Sequence, residues 1–382
     1  MAKILYLMGA GASYGKRGDD FTYRITRTKG DIVHTSSRSC CSINEGLPVV
    51  MEIPQRLLYV QELIYMARCS NKEAKENLIA DLTWLYNGTA KHATIDTFAK
   101  KLYLTGRTQD YERLKKILSI YLIIEQIINK PDSRYDTFLA NVLTPSLCIP
   151  ANIKVLTWNY DSLFEFAFAE YLGNVENQTE IGCSSISDNE IVGLPSIFKI
   201  NGSASFKDWS SITKLRNDNN SDSKLGEVTL NTILEAYWGN ESLLTFAWET
   251  ARMQGDSERL MKIKNCIGDV DILVVIGYTF PFFNRAVDRA FIRAIKNLKK
   301  IYIQDPNADK VIQSIDESFF DKIKDDLLIE DNKVIVYSNN DYFLTLDCEK
   351  DGDNLVIYKG TQTKIDNTSV YSKLEKFKED KS

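Results

Sequence analysis

The chain lacks a C-x-x-C cysteine pair, although it contains seven cysteines. Only Cys40 and Cys41 are adjacent, and an odd number without paired spacing fits neither a disulfide framework nor a zinc ribbon. No run approaches about 18 apolar residues, and the apolar run at the N-terminus is too short for the core of a signal peptide. These absences predict a cytoplasmic protein in a reducing compartment, with no membrane segment and no zinc site.

An excess of positive charge is also missing. The formal net charge is −5 and the pI is about 5.4, so composition gives no reason to expect direct nucleic-acid binding. The basic cluster of Lys296, Lys299 and Lys300 is interpreted as a solvated surface. With 382 residues, of which 44% are apolar and 26% charged, the chain is an ordinary folded protein. Its length allows two domains, or one domain with a large insertion.

The first segment begins like an α/β domain. The apolar run from Lys3 to Met8 predicts a buried strand, and "GAGASYG" after it predicts a turn into a helix. Residues 22–44 are polar, basic and irregular, which indicates an inserted loop or hairpin. A lid or partner-contact role for this insertion stays open beside that of a merely mobile segment.

Helical and strand patterns then divide the chain. Residues 53–147 carry apolar residues at intervals of three and four, which predicts a helical insertion module. The strand-like "IKVLTWNYD", "DVDILVVIGYTF" and "KIYIQD" alternate with the helical "SLFEFAFAEYL" and "AVDRAFIRAIKNL". This alternation predicts an α/β fold with a Rossmann-like parallel sheet, formed by residues 1–52 and 148–310. Residues 311–382 form a C-terminal extension, with edge strands at "KVIVYS" and "NLVIYKG" and a charged tail.

Two motifs are placed to bind a ligand. Gly9, Gly11 and Ser13 follow the first strand, where glycines allow close approach of a pyrophosphate to helix amides, but the spacing departs from G-x-G-x-x-G. A plain tight turn is an equal alternative. In "TWNYD", Thr157, Asn159 and Asp161 end a predicted strand, where α/β sheets bind ligands; Asp161 can also simply cap the next helix.

Several motifs together resemble a known family. "GAGAS", "GLP", "TIDTFAK", "TWNYD", "KINGS", "VIGYTFP" and "IQDPNA" occur in the order found in bacterial sirtuin-like proteins, over residues 3 to about 310. The resemblance is to the branch that hydrolyses NAD in antiphage defence, since the paired C-x-x-C zinc module of deacetylating sirtuins is absent. No single motif is specific, and residues after 310 have no counterpart.

The resemblance implies a role for each matching residue. Gly9, Ala10, Gly11 and Ser13 would cradle the NAD pyrophosphate, with Thr157 also in the nucleotide site. Asn159 and Asp161 would position the nicotinamide ribose and a water molecule. Residues at the ends of later strands would line the adenosine end, namely Gly277, Thr279, Asp305 and Asn307.

One position departs from the family motif K-x-H-G-S, because this chain has Asn201 where the histidine is expected. A histidine can accept a proton near neutral pH, whereas an asparagine amide can hold the same hydroxyl but cannot take its proton. Three explanations are open: a natural pseudoenzyme, another base such as Asp161, or deliberate inactivation. The two histidines of the chain, His34 and His92, are interpreted as solvent-facing or structurally satisfied.

Two functions follow as expectations. The first is an effector that hydrolyses NAD to nicotinamide and ADP-ribose, with Asn159, Asp161 and Asn201 at its catalytic site. The second is an inactive sensor or scaffold that binds NAD or ADP-ribose. The resemblance also implies a homo-oligomer and a separate sensor or ATPase partner, because the chain contains no recognisable sensor domain. The helical insertion or the C-terminal strands are the candidates for oligomer contacts.

Overall fold

A computed structural model describes most of the chain. The described residues are 1–29, 32–172, 197–206, 212, 215–216, 219, 224–239, 241–252, 258–308, 311, 334–337, 341–351 and 354–358. The charged tail predicted after residue 372 lies outside them.

The described part alternates strands and helices around one large sheet. The strands are β1 Ile4–Met8, β2 Lys16–Lys29, β3 Ile32–Glu45, β4 Ile153–Thr157, β5 Ile197–Lys199, β6 Gly202–Phe206, β7 Ser242–Leu244, β8 Ile272–Ile276, β9 Lys300–Gln304, β10 Val334–Tyr337, β11 Asp347–Asp351 and β12 Asn354–Tyr358. The helices are α1 Ile53–Met66, α2 Lys72–Thr89, α3 Ile95–Leu104, α4 Thr108–Ile128, α5 Ser133–Val142, α6 Leu163–Leu172, α7 Glu227–Gly239, α8 Ala247–Arg252, α9 Glu258–Ile267 and α10 Arg285–Ala294.

The central sheet has six strands in the order β10-β9-β8-β1-β4-β5, and every neighbouring pair is parallel. Strand β1 explains why its sequence is apolar throughout. Tyr6 and Met8 enter the core on one face of the sheet, while Leu5 and Leu7 enter the core on the other. A strand covered on both faces must be apolar on both, which confirms the predicted α/β class with a Rossmann-like parallel sheet.

The connection after β1 differs from the prediction. Instead of an α-helix, the chain makes a four-residue 3-10 turn, Ala10–Ser13, and then reverses at Gly15. Gly15 has φ +63°, and a Cβ there would lie 2.1 Å from the carbonyl oxygen of Glu45. Only glycine fits at this position, where the chain passes close to Glu45 at the other end of the hairpin.

Residues 22–44 belong to a hairpin, one of the two forms predicted for them. Strands β2 and β3 pair in antiparallel fashion with a bulge between Gly18 and Phe21. The hairpin packs on α1: Tyr59 makes edge contacts with the rings of Phe21 and Tyr23, and Arg27 pairs with Glu62 at 2.6 Å.

Helices α1 to α5 lie between β3 and β4, in the segment where the sequence predicts helices. Asn71, Thr94 and Asp132 cap α2, α3 and α5, each side chain accepting a hydrogen bond from a backbone amide of the first turn. Inside this segment Arg56 and Glu125 form a fully buried ion pair. No helix in the described part of the chain is long and apolar enough to cross a membrane.

The two predicted C-terminal edge strands have different outcomes. Strand β10 pairs with β9 and is an edge strand of the main sheet, as predicted from "KVIVYS". Strand β12, within "NLVIYKG", is an edge strand of a separate two-stranded sheet, in which it pairs in antiparallel fashion with β11.

Candidate functional site

The C-terminal ends of five strands lie side by side. Met8 is the register partner of both Thr157 and Ile276, Thr157 is the partner of Lys199, and Ile276 is the partner of Gln304. Since these residues end their strands, the segments that follow leave the sheet at one edge, which we call the carboxyl edge. Strand β1 has β4 on one side and β8 on the other, so the direction in which strands are added reverses at β1. Open parallel sheets bind ligands at the carboxyl ends of strands beside such a reversal.

The glycines after β1 form a packing loop. The amides of Gly9 and Gly11 donate to the carbonyls of Ile276 and Gly277, at 3.0 and 2.9 Å. These two amides are therefore already used inside the protein, and the cradling of a pyrophosphate by Gly9 and Gly11 stays a prediction that rests on the close approach their missing side chains allow. Ala10 is exposed at the tip of the loop, and its amide donates to no described residue.

Gly277 is the tightest point of this packing, which gives a testable prediction. It has φ +58°, and a Cβ there would lie 2.4 Å from the backbone nitrogen of Ala12. We expect Gly277→Ala to destabilise the fold by about 2 kcal/mol or more, from backbone strain and overpacking together. Gly239→Ala is the matched control, because a Cβ at Gly239 meets nothing within 4 Å. Thermal unfolding of both variants measures the difference, and equal midpoints would contradict the predicted close packing.

Ser13, Asn159 and Asp161, predicted from separate motifs, are brought together. The Ser13 hydroxyl donates to Asp161 Oδ2 at 2.8 Å and contacts the Tyr135 hydroxyl at 3.0 Å. The side-chain nitrogen Nδ2 of Asn159 donates to Ser13 Oγ at 3.0 Å and to the Gly9 carbonyl at 2.9 Å. Ser13 therefore orients the site through its side chain. Asn159 Oδ1 accepts no hydrogen bond from any described residue, so this oxygen is free to accept one from a ligand.

Asp161 caps a helix and lines the site at the same time. Its Oδ1 accepts from the Leu163 amide at 3.1 Å, which confirms the predicted capping role. Burial raises the pKa of this carboxyl above its ordinary value, and the nearby Lys199 ammonium opposes the rise. Asp161 is half-buried.

Lys199 and Glu165 form a buried pair beneath this network. The Lys199 ammonium lies 2.6 Å from Glu165 Oε1 and donates to the Asp161 carbonyl at 2.6 Å and the Ser162 hydroxyl at 3.1 Å. Only 1% of Lys199 is exposed. The lysine fixes the turn that carries Asp161. Sequence reasoning noted it only as part of "KINGS", and nothing in that motif indicates Glu165 as its partner.

Trp158 and Tyr278 hold the two sides of the glycine loop. Their rings stack with centroids 6.0 Å apart, and both donate to the buried Asp288, Trp158 Nε1 at 3.0 Å and the Tyr278 hydroxyl at 2.8 Å. Burial raises the pKa of Asp288 to about 8. Because Trp158 follows β4 and Tyr278 lies two residues after β8, this carboxyl fixes the strand ends on both sides of Gly9.

Asn201 lies two residues after β5 and next to Tyr160. Its Nδ2 donates to the Tyr160 hydroxyl at 3.4 Å, while its Oδ1 is buried and has no partner among the described residues. The next residue, Gly202, has φ +73°, and a Cβ there would lie 2.1 Å from the Leu243 carbonyl oxygen. A buried acceptor without a donor is costly, so Asn201 Oδ1 is suited to receive a hydroxyl from a ligand.

Asp96 is a further candidate residue that the sequence did not single out. It lies in the first turn of α3, within the quoted "TIDTFAK". Burial raises the pKa of its carboxyl to about 6, and its charge in turn raises the pKa of Tyr160, the residue that contacts Asn201. Like Asp161, Asp96 is half-buried. No described residue other than Asp96 itself donates a hydrogen bond to this carboxyl.

The aromatic residues between Asp96 and Asn201 connect α3 with Tyr160. Lys100, one turn after Asp96, lies 4.8 Å from the ring of Trp248. Trp248 stacks on Phe246 at 4.7 Å, and Phe246 lies 6.4 Å from Tyr160. This face of α3 is thereby held toward Tyr160 by packing. Tyr160 links the two residues, because the charge of Asp96 raises its pKa and Asn201 donates a hydrogen bond to its hydroxyl.

The remaining predicted residues lie along the same edge. Thr157 Oγ1 accepts a hydrogen bond from the backbone amide of Asn159 at 3.0 Å, so Thr157 shapes the turn after β4. Gly277 and Asp305 directly follow the register partners Ile276 and Gln304, and Asp305 Oδ1 accepts from the Asn307 amide at 2.8 Å. Thr279 and Asn307 are exposed. Gly277, Thr279, Asp305 and Asn307 occupy the β8 and β9 end of the edge, whereas Thr157 lies beside β5.

Neither histidine replaces the missing one. His92 Nδ1 is 2.7 Å from the Gly88 carbonyl and its ring stacks on Phe98, so it is structurally satisfied, as predicted. His34 is exposed on β3.

Among the described residues, no group of three or more His, Cys, Asp or Glu side chains is arranged to hold a metal ion.

Comparisons with known proteins add no family to this geometry. Comparison of the chain with protein-family models gives no match, and neither does comparison with curated proteins.

Proposed function

We propose that this protein is a sirtuin-like NAD glycohydrolase, which cleaves NAD to nicotinamide and ADP-ribose. The observation that carries the proposal is the joining of Ser13, Asn159 and Asp161 in one hydrogen-bonded network at the carboxyl edge. Motifs from two distant segments meet there in the way the family resemblance implies. The unsatisfied Asn201 Oδ1 and Asn159 Oδ1 suit a ligand rich in hydroxyl donors, such as a ribose.

The reaction needs little acid assistance. The bond between ribose C1′ and the nicotinamide nitrogen breaks, and the electron pair leaves with nicotinamide as a neutral molecule. Water then adds to the oxocarbenium-like C1′ and loses one proton, which gives ADP-ribose. Asn159 and Asp161 orient the ribose and the attacking water, and a general base accepts the proton.

We assign Asp96 as the general base that accepts this proton. Asn201 has no basic nitrogen and serves to hold a ribose hydroxyl through Oδ1. Asp161 already uses both carboxylate oxygens, one for Ser13 and one for the Leu163 amide. Asp96 has no such partners among the described residues, and its pKa of about 6 leaves it ionised at neutral pH yet basic enough to accept a proton.

The other end of NAD is assigned to the β8 and β9 side of the edge. The free Ala10 amide is placed to donate to the pyrophosphate, and Gly277, Thr279, Asp305 and Asn307 to border the adenosine. By the same resemblance we propose an antiphage effector that acts as a homo-oligomer, triggered by a separate sensor or ATPase protein.

A second candidate is a catalytically inactive sensor or scaffold that binds NAD or ADP-ribose. Asn201 in place of histidine favours it, because the family's usual base is absent. The two functions differ in one product: only the hydrolase releases nicotinamide.

Chromatographic detection of nicotinamide and ADP-ribose tests the proposal. We expect a basal, equimolar release of both products from the unmodified chain without its trigger, and a loss of about 10²-fold or more in Asn159→Ala, which removes the side-chain amide that orients the ribose. Asn141→Ala is the control, since Asn141 is exposed and bonds only within its own helix. Because Asp96 is assigned as the base, Asn201→His is expected to change the rate less than about tenfold. Nucleotide binding without products in both the unmodified chain and Asn201→His would favour the sensor.

A further inference from the structure

The β2–β3 hairpin has one segment that the protein body does not cover. On β2, Tyr23 and Ile25 are half-buried and alternate with the exposed Thr22, Arg24 and Thr26, as expected for a strand with one covered face. On β3, every residue from 34 to 39 is exposed. We call residues 34–39, "HTSSRS", the edge segment.

The edge segment also has an unpaired side. The hairpin forms a separate two-stranded sheet, in which β3 pairs only with β2 within the described chain. The one further bridge of β3, between Glu45 and Lys130, is at the base of the hairpin and not in the edge segment. Its outer row of backbone amides and carbonyls is therefore open to another strand.

Usual protections against edge pairing are missing here. Proteins block such edges with proline, lysine, bulges or a covering element. The edge segment contains neither proline nor lysine, its one charged residue is Arg38, and both register shifts of the hairpin, at Lys16/Arg17 and Gly18/Phe21, are near its base. Strand β2, the inner strand of the hairpin, is anchored to α1 through Tyr59 and Glu62, so the hairpin is held in place.

We propose that the edge segment pairs in antiparallel fashion with the same segment of a second copy of this chain. The two hairpins then form one continuous four-stranded ribbon across a two-fold axis. Such an axis, perpendicular to the ribbon, places Ser36 or Ser37 opposite its own copy. Arg38 is the only formally charged residue of the segment and faces Ser36 or His34 of the second copy, so no like charges are opposed.

Charge favours a second copy over nucleic acid as the occupant. The chain carries a net charge of −5, and the arginines beside or within the segment are Arg24, Arg27 and Arg38, of which Arg27 pairs with Glu62 of α1. The small hydroxyl side chains of the segment suit close strand pairing, whereas phosphate binding requires a basic surface.

Sedimentation equilibrium of the full chain over a range of concentrations tests this pairing. We expect a dimer or an even-numbered oligomer for the unmodified chain. Ser36→Lys combined with Ser37→Lys puts like charges opposite each other about either axis, which is expected to raise the dissociation constant about tenfold or more. Thr22→Lys combined with Thr26→Lys makes the same charge change on exposed positions of the inner strand and is expected to leave association unchanged.

Circular dichroism and thermal unfolding confirm that both double variants are folded before they are compared. A monomeric unmodified chain, or undiminished association of the Ser36→Lys, Ser37→Lys variant, would overturn the proposal. A monomer that instead binds a duplex oligonucleotide through the edge segment would also overturn it, in favour of a nucleic-acid partner. This pairing is independent of the nucleotide site, so nicotinamide release does not enter the test.

Discussion

Asp96→Asn is expected to lower the rate of nicotinamide release by about 10²- to 10⁴-fold while leaving nucleotide binding intact. The amide keeps the size and the hydrogen-bonding capacity of the side chain but cannot accept the proton of the attacking water. The measurement is a single-turnover assay with saturating NAD, beside calorimetric binding of ADP-ribose. Asp110→Asn is the matched control, because Asp110 also lies in the first turn of its helix, α4, but pairs with the exposed Arg107.

The pH profile separates a base from a merely structural carboxyl. A general base acts in its deprotonated form, so the rate for the unmodified chain should rise with pH through about 6, the pKa to which burial raises Asp96, and then level off. In Asp96→Asn this rising limb should disappear. An unchanged limb in the variant would assign the base to another group, with Asp161 the first to examine.

Arg56→Leu is expected to destabilise the fold by about 3–5 kcal/mol. Arg56 and Glu125 are 1% and 0% exposed, and two hydrogen bonds join them, at 2.9 and 2.6 Å. Removal of the guanidinium leaves the Glu125 carboxylate buried with Asn129 as its remaining side-chain hydrogen-bond donor. Arg56 also donates to the Cys41 carbonyl at 3.3 Å, so the substitution loosens the hairpin from α1.

Chemical denaturation measures this loss. The double variant Arg56→Leu, Glu125→Leu removes both charges and is expected to recover most of the lost stability, because an apolar pair replaces the unpaired carboxylate. Arg107→Leu breaks an exposed ion pair and is expected to cost less than about 1 kcal/mol. Equal losses for Arg56→Leu and Arg107→Leu would show that burial does not set the cost.

Strand positions and the residues at their ends were predictable from sequence. The apolar run of β1 reflects cover on both faces, and Asn159 and Asp161 lie at the carboxyl edge because a strand ends directly before them. The roles of Gly9 and Gly11 were not predictable, because their amides bond to carbonyls of β8, a strand far along the chain. Local spacing cannot distinguish amides that await a phosphate from amides that pack a loop.

Asp96 and Lys199 were missed for a similar reason. A carboxyl in the first turn of a helix is most simply a favourable end charge, and only the fold brings Asp96 near Tyr160. Lys199 has an acidic partner on another element, Glu165 of α6, which no motif joins to it. Side chains whose environment comes from several segments require the tertiary structure.

Calorimetric titration of ADP-ribose into the unmodified chain tests for a nucleotide site at the carboxyl edge, because this ligand reports binding without cleavage. We expect saturable binding of one molecule per chain. We also expect weaker binding to Asn159→Ala, with binding to Asp96→Asn unchanged. Absence of binding for both ADP-ribose and NAD, in a folded sample and at high protein concentration, would contradict a nucleotide site at the carboxyl edge.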